Sequence, residues 1–266
     1  MFEALSSPFM QKAFLAGLLV SVLTGIISSF IVLRRMSFIG AGISHAAFGG
    51  VAIGFFTGLN PLMTAIVYSI IVAIGIEATG KRGRISEDVS IGIFYSVSMA
   101  LGIALVSLSK TYNVDLFGYL FGNILAITDE EILLTLVTSV VVTVMLVIFL
   151  KELFLITYSE ELARVSGIRV KLINVLFLIA LSVSIVISIR IVGIIMVSAL
   201  LVIPGATARL FAKSLLSMIA VSCIAGMMSV IIGLFVSYEY DIAPGACIVL
   251  TAAAIFFLPL LLKKRL

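Results

Sequence analysis

A chain of 266 residues that is 62% hydrophobic and 11% charged, with a mean hydropathy of +1.34, carries far more apolar surface than a water-soluble core can hide. This composition excludes a soluble enzyme and predicts an all-α, polytopic membrane protein. The net charge of +4 is what a membrane chain acquires by keeping basic residues on one side, and it gives no footing for nucleic acid.

A span needs roughly 20 apolar residues at 1.5 Å each. The opening MFEALSSPFMQK lacks the basic start and small-residue cleavage site of a signal peptide, so the first apolar run is expected to stay as a span. Apolar runs then predict spans at residues 13–33, 36–58, 61–78, 86–108 and 132–150, and at 172–189, 191–210, 215–236 and 245–262. Several carry start signals. Asn60-Pro61 reads as a cap followed by a first-turn proline. Ser86-Glu87-Asp88 reads as a cap followed by acids at the positive dipole end. Thr128 with Glu131 reads as a capping box. Pro204-Gly205 predicts a break or kink inside the seventh span. Cys223 and Cys247 lie in apolar runs without metal-ligand spacing.

The segment DLFGYLFGNILAI, residues 115–127, is too short to cross and is read as a re-entrant or interfacial helix on the outer side. With that reading the nine spans place fourteen of seventeen Lys and Arg inside, leaving Lys12, Lys110 and Arg190 outside. The N-terminus is then outside and the C-terminus inside. The whole chain, 1–266, is read as one transmembrane domain with a cytoplasmic loop at 151–171.

Two places carry candidate function. The second span holds His45, the one histidine of the chain, together with Gly50, Gly54 and Gly58 at four-residue spacing. An imidazole at membrane depth marks a substrate pathway more often than a packing site, and the glycines allow close helix approach. Glu87, Asp88 and Pro204 are further candidates for lining a pathway, although a helix start, with capping and dipole pairing, explains the two acids better than an exit does. In the cytoplasmic loop, YSEELARVSGI reads as a short capped helix. Ser159 is its cap, Glu160 and Glu161 occupy the positive end, Glu160 can pair with Arg164, and Gly167 stops it. Two turns are marginal alone, so the segment is expected to dock on something.

Taken together, RRMSFIGAGISHAAFGGVAIG, SEDVSIGIFYSVSMALGIALVS, VDLFGYLFGNILAI, EELARVSGI, IVGIIMVSALLVIPGATARL and YEYDIAPGACIVLTAAAIFFL resemble, in that order, the permease subunits of ATP-binding-cassette importers for zinc, manganese or iron. More distantly they are similar to permeases for vitamin B12 and iron-siderophore chelates. The resemblance implies a type II importer fold, a homodimeric or pseudo-dimeric transmembrane core in a prokaryotic inner or plasma membrane, two ATPase subunits that bind ATP, and an extracytoplasmic metal-binding protein. It implies Zn²⁺ or Mn²⁺ as the transported species, with Fe²⁺ next, and no cofactor held by this chain. The segment matching the family's coupling helix covers Ser159, Glu160, Glu161, Ala163, Arg164 and Gly167. Relatives commonly carry an aspartate one turn before the histidine; here that position is Ala41, so His45 stands as a lone imidazole. In the loop, ITYSEE stands where relatives usually have Phe-Asp before the acids.

No phosphate-cradling glycine loop with a lysine, and no nucleophile–base pair, points to catalysis, so ATP hydrolysis is assigned to a partner. The competing function is a secondary carrier driven by an ion gradient. Such carriers hold paired ionisable groups near mid-membrane, and His45 has no such pair.

Overall fold

The computed structural model describes residues 7–82, 85–108, 122, 124 and 127–263, and the described residues form helices joined by short turns. In chain order these are α1 (Pro8–Leu33), α2 (Ile39–Thr57), α3 (Pro61–Arg82), α4 (Glu87–Leu108), α5 (Asp129–Ile148), α6 (Leu150–Tyr158), α7 (Glu160–Val165), α8 (Val170–Leu200), α9 (Ile203–Phe211), α10 (Leu215–Tyr240) and α11 (Pro244–Lys263). All but α6, α7 and α9 are long and apolar enough to cross a membrane singly. Following the basic-residue bias, the side carrying Arg34 and the 151–171 loop is called inner.

Helix starts follow local chemistry. Asn60 Oδ1 accepts from the Leu62 and Met63 amides at 3.0 and 3.3 Å. At Thr128 both halves of the capping box are made with Glu131. α1 begins at Pro8, five residues ahead of the expected 13, because its first turn is buried at Met10. It ends with the Met36 amide on Ile31 O and the Arg35 amide on Val32 O, and Arg35 adopts φ 58°. Those two bonds are the Schellman pattern, which turns the chain tightly into α2.

Glycines decide how closely the helices meet. A methyl on Gly50 would lie 2.6 Å from Ala65 Cα, and one on Gly54 would lie 2.6 Å from Pro61 Cα, so α2 and α3 touch backbone to backbone. Gly58, the third of that series, instead ends α2 with φ 73° and open space where a side chain would be. Four-residue spacing marked the packing face correctly for two of the three; the third is used for its positive φ. Gly25 on α1 packs in the same way on Cys223 of α10, where Ser222 Oγ donates to Gly25 O at 2.8 Å.

Residues 170–211 form one apolar run of 42 residues, about 63 Å if straight and so twice a bilayer. The fold resolves this at Gly193, where φ 79° and ψ 165° break α8. Before the break, Leu178 lines a cavity beside Arg34 at the inner end. After it, Leu201 packs over Gly40, in the first turn of α2 and again near the inner end. The two halves therefore run in opposite senses and count as two crossings, with the boundary at Gly193 and not at Arg190. The second half breaks again at Val202, so Pro204 falls in the first turn of α9, where its missing N–H costs nothing. The orphan amide of Gly205 is accepted by Ser28 Oγ at 2.9 Å.

α1, α2 and the α8–α9 run are the centre: 72% of the apolar window of each is buried, against 22% for α4 and α5 and 17% for α11. At the outer ends, Lys12 pairs with Asp129 at 2.7 Å and Arg190 with Glu131 at 2.9 Å. Most of the segment 115–127 expected to lie on this face falls outside the described residues. Of it, Gly122 (φ 69°) meets the backbone at Val192 and Gly193, and Ile124 is buried beside Gly17. The 151–171 loop holds more structure than expected, because α6 continues almost directly from α5 across a single bend at Phe149.

Candidate functional site

His45 is half-buried on α2. Its Nδ1 lies 2.8 Å from Ala41 O. A carbonyl oxygen only accepts, so Nδ1 carries the hydrogen, and a neutral ring then presents a bare lone pair at Nε2. The residue one turn back thus orients the ring through its backbone, as a carboxylate there would have done through a side chain. On the other side the imidazole meets Tyr95 of α4 edge-on, with ring centroids 4.5 Å apart and planes at 63°. Gly49, whose added methyl would lie 2.8 Å from Ser98 O, brings α4 that close.

Tyr95 belongs to an exposed stripe of α4 formed by Asp88, Gly92, Tyr95 and Ser96 at helical spacing. A side chain at Gly92 would meet nothing within 4 Å. A stripe with a carboxylate, a phenol and a hydroxyl is a poor surface for lipid, because polar groups at membrane depth seek polar partners. Among the described residues no group of three or more His, Cys, Asp or Glu is gathered to hold a metal ion, so each chain offers one imidazole. The neighbouring acids part company: Asp88 is exposed on the α4 stripe, whereas Glu87 turns to the inner cavity beside Arg34. Pro204 is buried, with its ring facing Gly226 of α10, far from His45 in the packing order. Tyr95 escaped the sequence reading, although the 88, 92, 95 spacing in SEDVSIGIFYS could have found it.

The second site is the inner loop. Ser159 caps α7, its Oγ accepting from the Leu162 amide at 3.2 Å. Glu160 and Glu161 fill the first turn, and Arg164 donates to Glu160 at 3.3 Å. The helix stops in a complete Schellman motif: Ile168 N–H to Ala163 O and Gly167 N–H to Arg164 O, both 3.0 Å, with Gly167 at φ 81°. Ala163 is fully buried and anchors the segment on the bundle. Three large apolar side chains face outward instead: Tyr158 (75% exposed), Leu162 (51%) and Val165 (88%). Leu162 and Val165, three apart on α7, share its outward face, and Tyr158 is exposed just before the extended residue Ser159 that separates α6 from α7; a patch of exposed apolar side chains like this suits a docking partner. The sequence reading found the caps but not this face.

A third feature adjoins the inner loop. A cavity of about 150 Å³ at the inner ends is lined by Arg34, Met36, Glu77, Glu87, Thr157, Glu160 and Asn174, with Ile156 and Leu178. Arg34 Nε donates to Thr157 Oγ1 at 3.2 Å and Nη1 to Asn174 Oδ1 at 3.1 Å, while the guanidinium lies over the Phe177 ring at 4.6 Å. Asn174 Nδ2 donates on to Glu77 at 3.2 Å and Glu160 at 3.5 Å. Burial pulls the Arg34 pKa down to about 10, against the upward pull of Glu160, Glu77 and Glu87.

An all-α bundle of long apolar helices, with a polar stripe on α4 beside a half-buried imidazole and a short capped helix at the inner end, is an architecture that suits a membrane permease. The profile of the ABC 3 transport family matches residues 6–263, and the chain belongs to that family. It is 38% identical over 257 residues to the manganese transport system membrane protein MntC of Listeria monocytogenes, covering 97% of this chain and 91% of that one. It is 35% identical over 254 residues to the high-affinity zinc uptake system membrane protein ZnuB of Haemophilus influenzae, covering 96% and 97% respectively. Among solved structures, PsaBC from Streptococcus pneumoniae in complex with Fab superposes with a TM-score of 0.86 at 37% identity, over 97% of this chain and 93% of that one. The fold is that of a type II ABC-importer permease.

Proposed function

We propose that this chain is the membrane-spanning subunit of an ATP-driven importer of divalent transition metal, manganese first and zinc second, in the inner or plasma membrane of a prokaryote. The likeness along almost the full length to relatives named for manganese and zinc transport carries this reading. Two copies pair, so that two His45 side chains and the α4 stripes share one path. An extracytoplasmic binding protein delivers the ion. ATP is hydrolysed by a separate subunit that seats on Tyr158, Leu162 and Val165 and moves α7, driving alternating access; iron ranks third as cargo.

A single imidazole from each copy suits a path better than a store. Nε2 is one borderline nitrogen ligand, water and carbonyls complete the shell, and an ion held this loosely can leave again. Protonating the ring removes the lone pair. Membership of the ABC 3 transport family disfavours the gradient-driven carrier.

The test is uptake of labelled Mn²⁺ into proteoliposomes holding the permease with its cognate ATPase, with Zn²⁺ and Fe²⁺ as competitors. His45→Ala is expected to lower uptake at least about tenfold, while the complex still assembles. Uptake that proceeds without ATP, or is unaltered in His45→Ala, overturns the corresponding part of the reading.

A further inference from the structure

The cluster around Arg34 adjoins the docking segment through Glu160 and the start of α2 through Met36, and neither ion binding nor ATPase docking gives Arg34 itself a task. Its geometry is that of a junction. Arg34 is the C-cap of α1, and four residues later Phe38 caps α2. Between them the Schellman turn leaves the backbone little slack. Laterally, the Arg34 fork reaches α6 through Thr157 and α8 through Asn174, and Asn174 passes the contact to Glu77 on α3 and Glu160 on α7. Arg34 Nη2 is shut off from solvent and makes no hydrogen bond, so the guanidinium is already short of an acceptor. A shielded cation that loses an acceptor is left with an uncompensated charge, which costs far more than an exposed one losing the same contact.

We propose that Arg34 is a positioning residue for energy coupling: through Asn174 it ties Glu160 of α7 to the inner ends of α1, α3 and α8, so that displacement of α7 is transmitted to α2. The inference rests on the reading of α7 as the ATPase-docked segment and of α2 as the pathway helix. When α7 shifts, Glu160 leaves Asn174. Either the Arg34 cluster follows as a unit, or the guanidinium stays behind with one of its three nearby carboxylates withdrawn. The first outcome is cheaper, so the motion of the docking segment and that of the His45 helix become one event. This is a coupling free energy between two sites carried by one two-state element.

The experiment uses the whole complex in proteoliposomes and reads ATP hydrolysed per metal ion moved. Arg34→Met keeps an apolar stem over Phe177 and removes the fork; Glu160→Gln removes only the charge on α7. Each is expected to raise ATP per ion about tenfold, inside the usual range of site-to-site coupling. Their double variant is expected to be no worse than either alone, because both break one link. Arg34→Lys keeps the charge without the planar fork and is expected to fall between. Glu160→Gln and Arg34→Lys at the wild-type ratio, or a double variant in which the two effects multiply, overturn the proposal. Should Arg34→Met fail to assemble, Arg34→Lys and Glu160→Gln decide it alone. Wild-type uptake that needs no ATP would overturn the transport reading itself, a result distinct from any change in the ratio.

Discussion

α1 carries a basic residue near each end, and the two are treated in opposite ways. At the outer end Lys12 meets one carboxylate, Asp129, at 2.7 Å, with the lysine side chain 39% and the aspartate 83% exposed. At the inner end Arg34 shares its guanidinium among a hydroxyl, an amide and an aromatic face, inside a cavity with three carboxylates. The outer tie is a solvated contact between two helix ends, of a kind worth at most about 1 kcal/mol. At the inner end no single contact is strong, yet the members depend on one another, because Asn174 is shared between Arg34, Glu77 and Glu160. One tie holds two helices in place. The other can make several helices answer together.

That contrast can be broken at either end. The largest effect is expected from Asn174→Leu, which removes both the acceptor for Arg34 and the donor to Glu77. Hydrogen bonds to charged groups are worth about 1.5–3 kcal/mol, so the thermal midpoint of the purified complex is expected to fall clearly. An unchanged midpoint would mean that the inner cluster is as loose as the outer pair. Glu131→Ala comes next: it deletes the ion pair with Arg190 and half of the Thr128 capping box. A cap of this type is worth about 1 kcal/mol, and the same midpoint measurement reads it. Lys12→Met is expected to do least, under about 1 kcal/mol, and its small difference from wild type is expected to vanish in molar salt, where exposed charges are screened. A Lys12→Met loss that equals Asn174→Leu, or persists in salt, would erase the distinction.

Sequence gave up local chemistry readily. The Thr128–Glu131 box, the Asn60-Pro61 start and the Ser159–Gly167 bracket each reside within a few residues, and all formed. The orientation of His45 lay half in view. Ala41 read as a lost carboxylate partner, but its carbonyl is fixed by the helix whatever residue stands there and takes the ring's hydrogen bond. The Arg34 cluster was out of reach. Its hydrogen bonds span 123, 140 and 97 residues of chain, and Arg34 itself read as one more inner-side charge. Gly193 was missed by three residues: the run was divided at the charge of Arg190, while the φ of 79° that places the turn leaves no mark in an apolar stretch.

That turn also settles a question of parity. Each crossing carries the chain to the other side, so the sidedness of everything after residue 193 depends on whether 170–211 counts once or twice. Counted once, Lys213 and the C-terminal Lys263 would sit on the same face as Lys12, opposite Arg34. Counted twice, they join Arg34 and the 151–171 loop. A single residue without a side chain, in a backbone region that other residues rarely adopt, therefore sets the address of the last two long helices and of both loops that flank them.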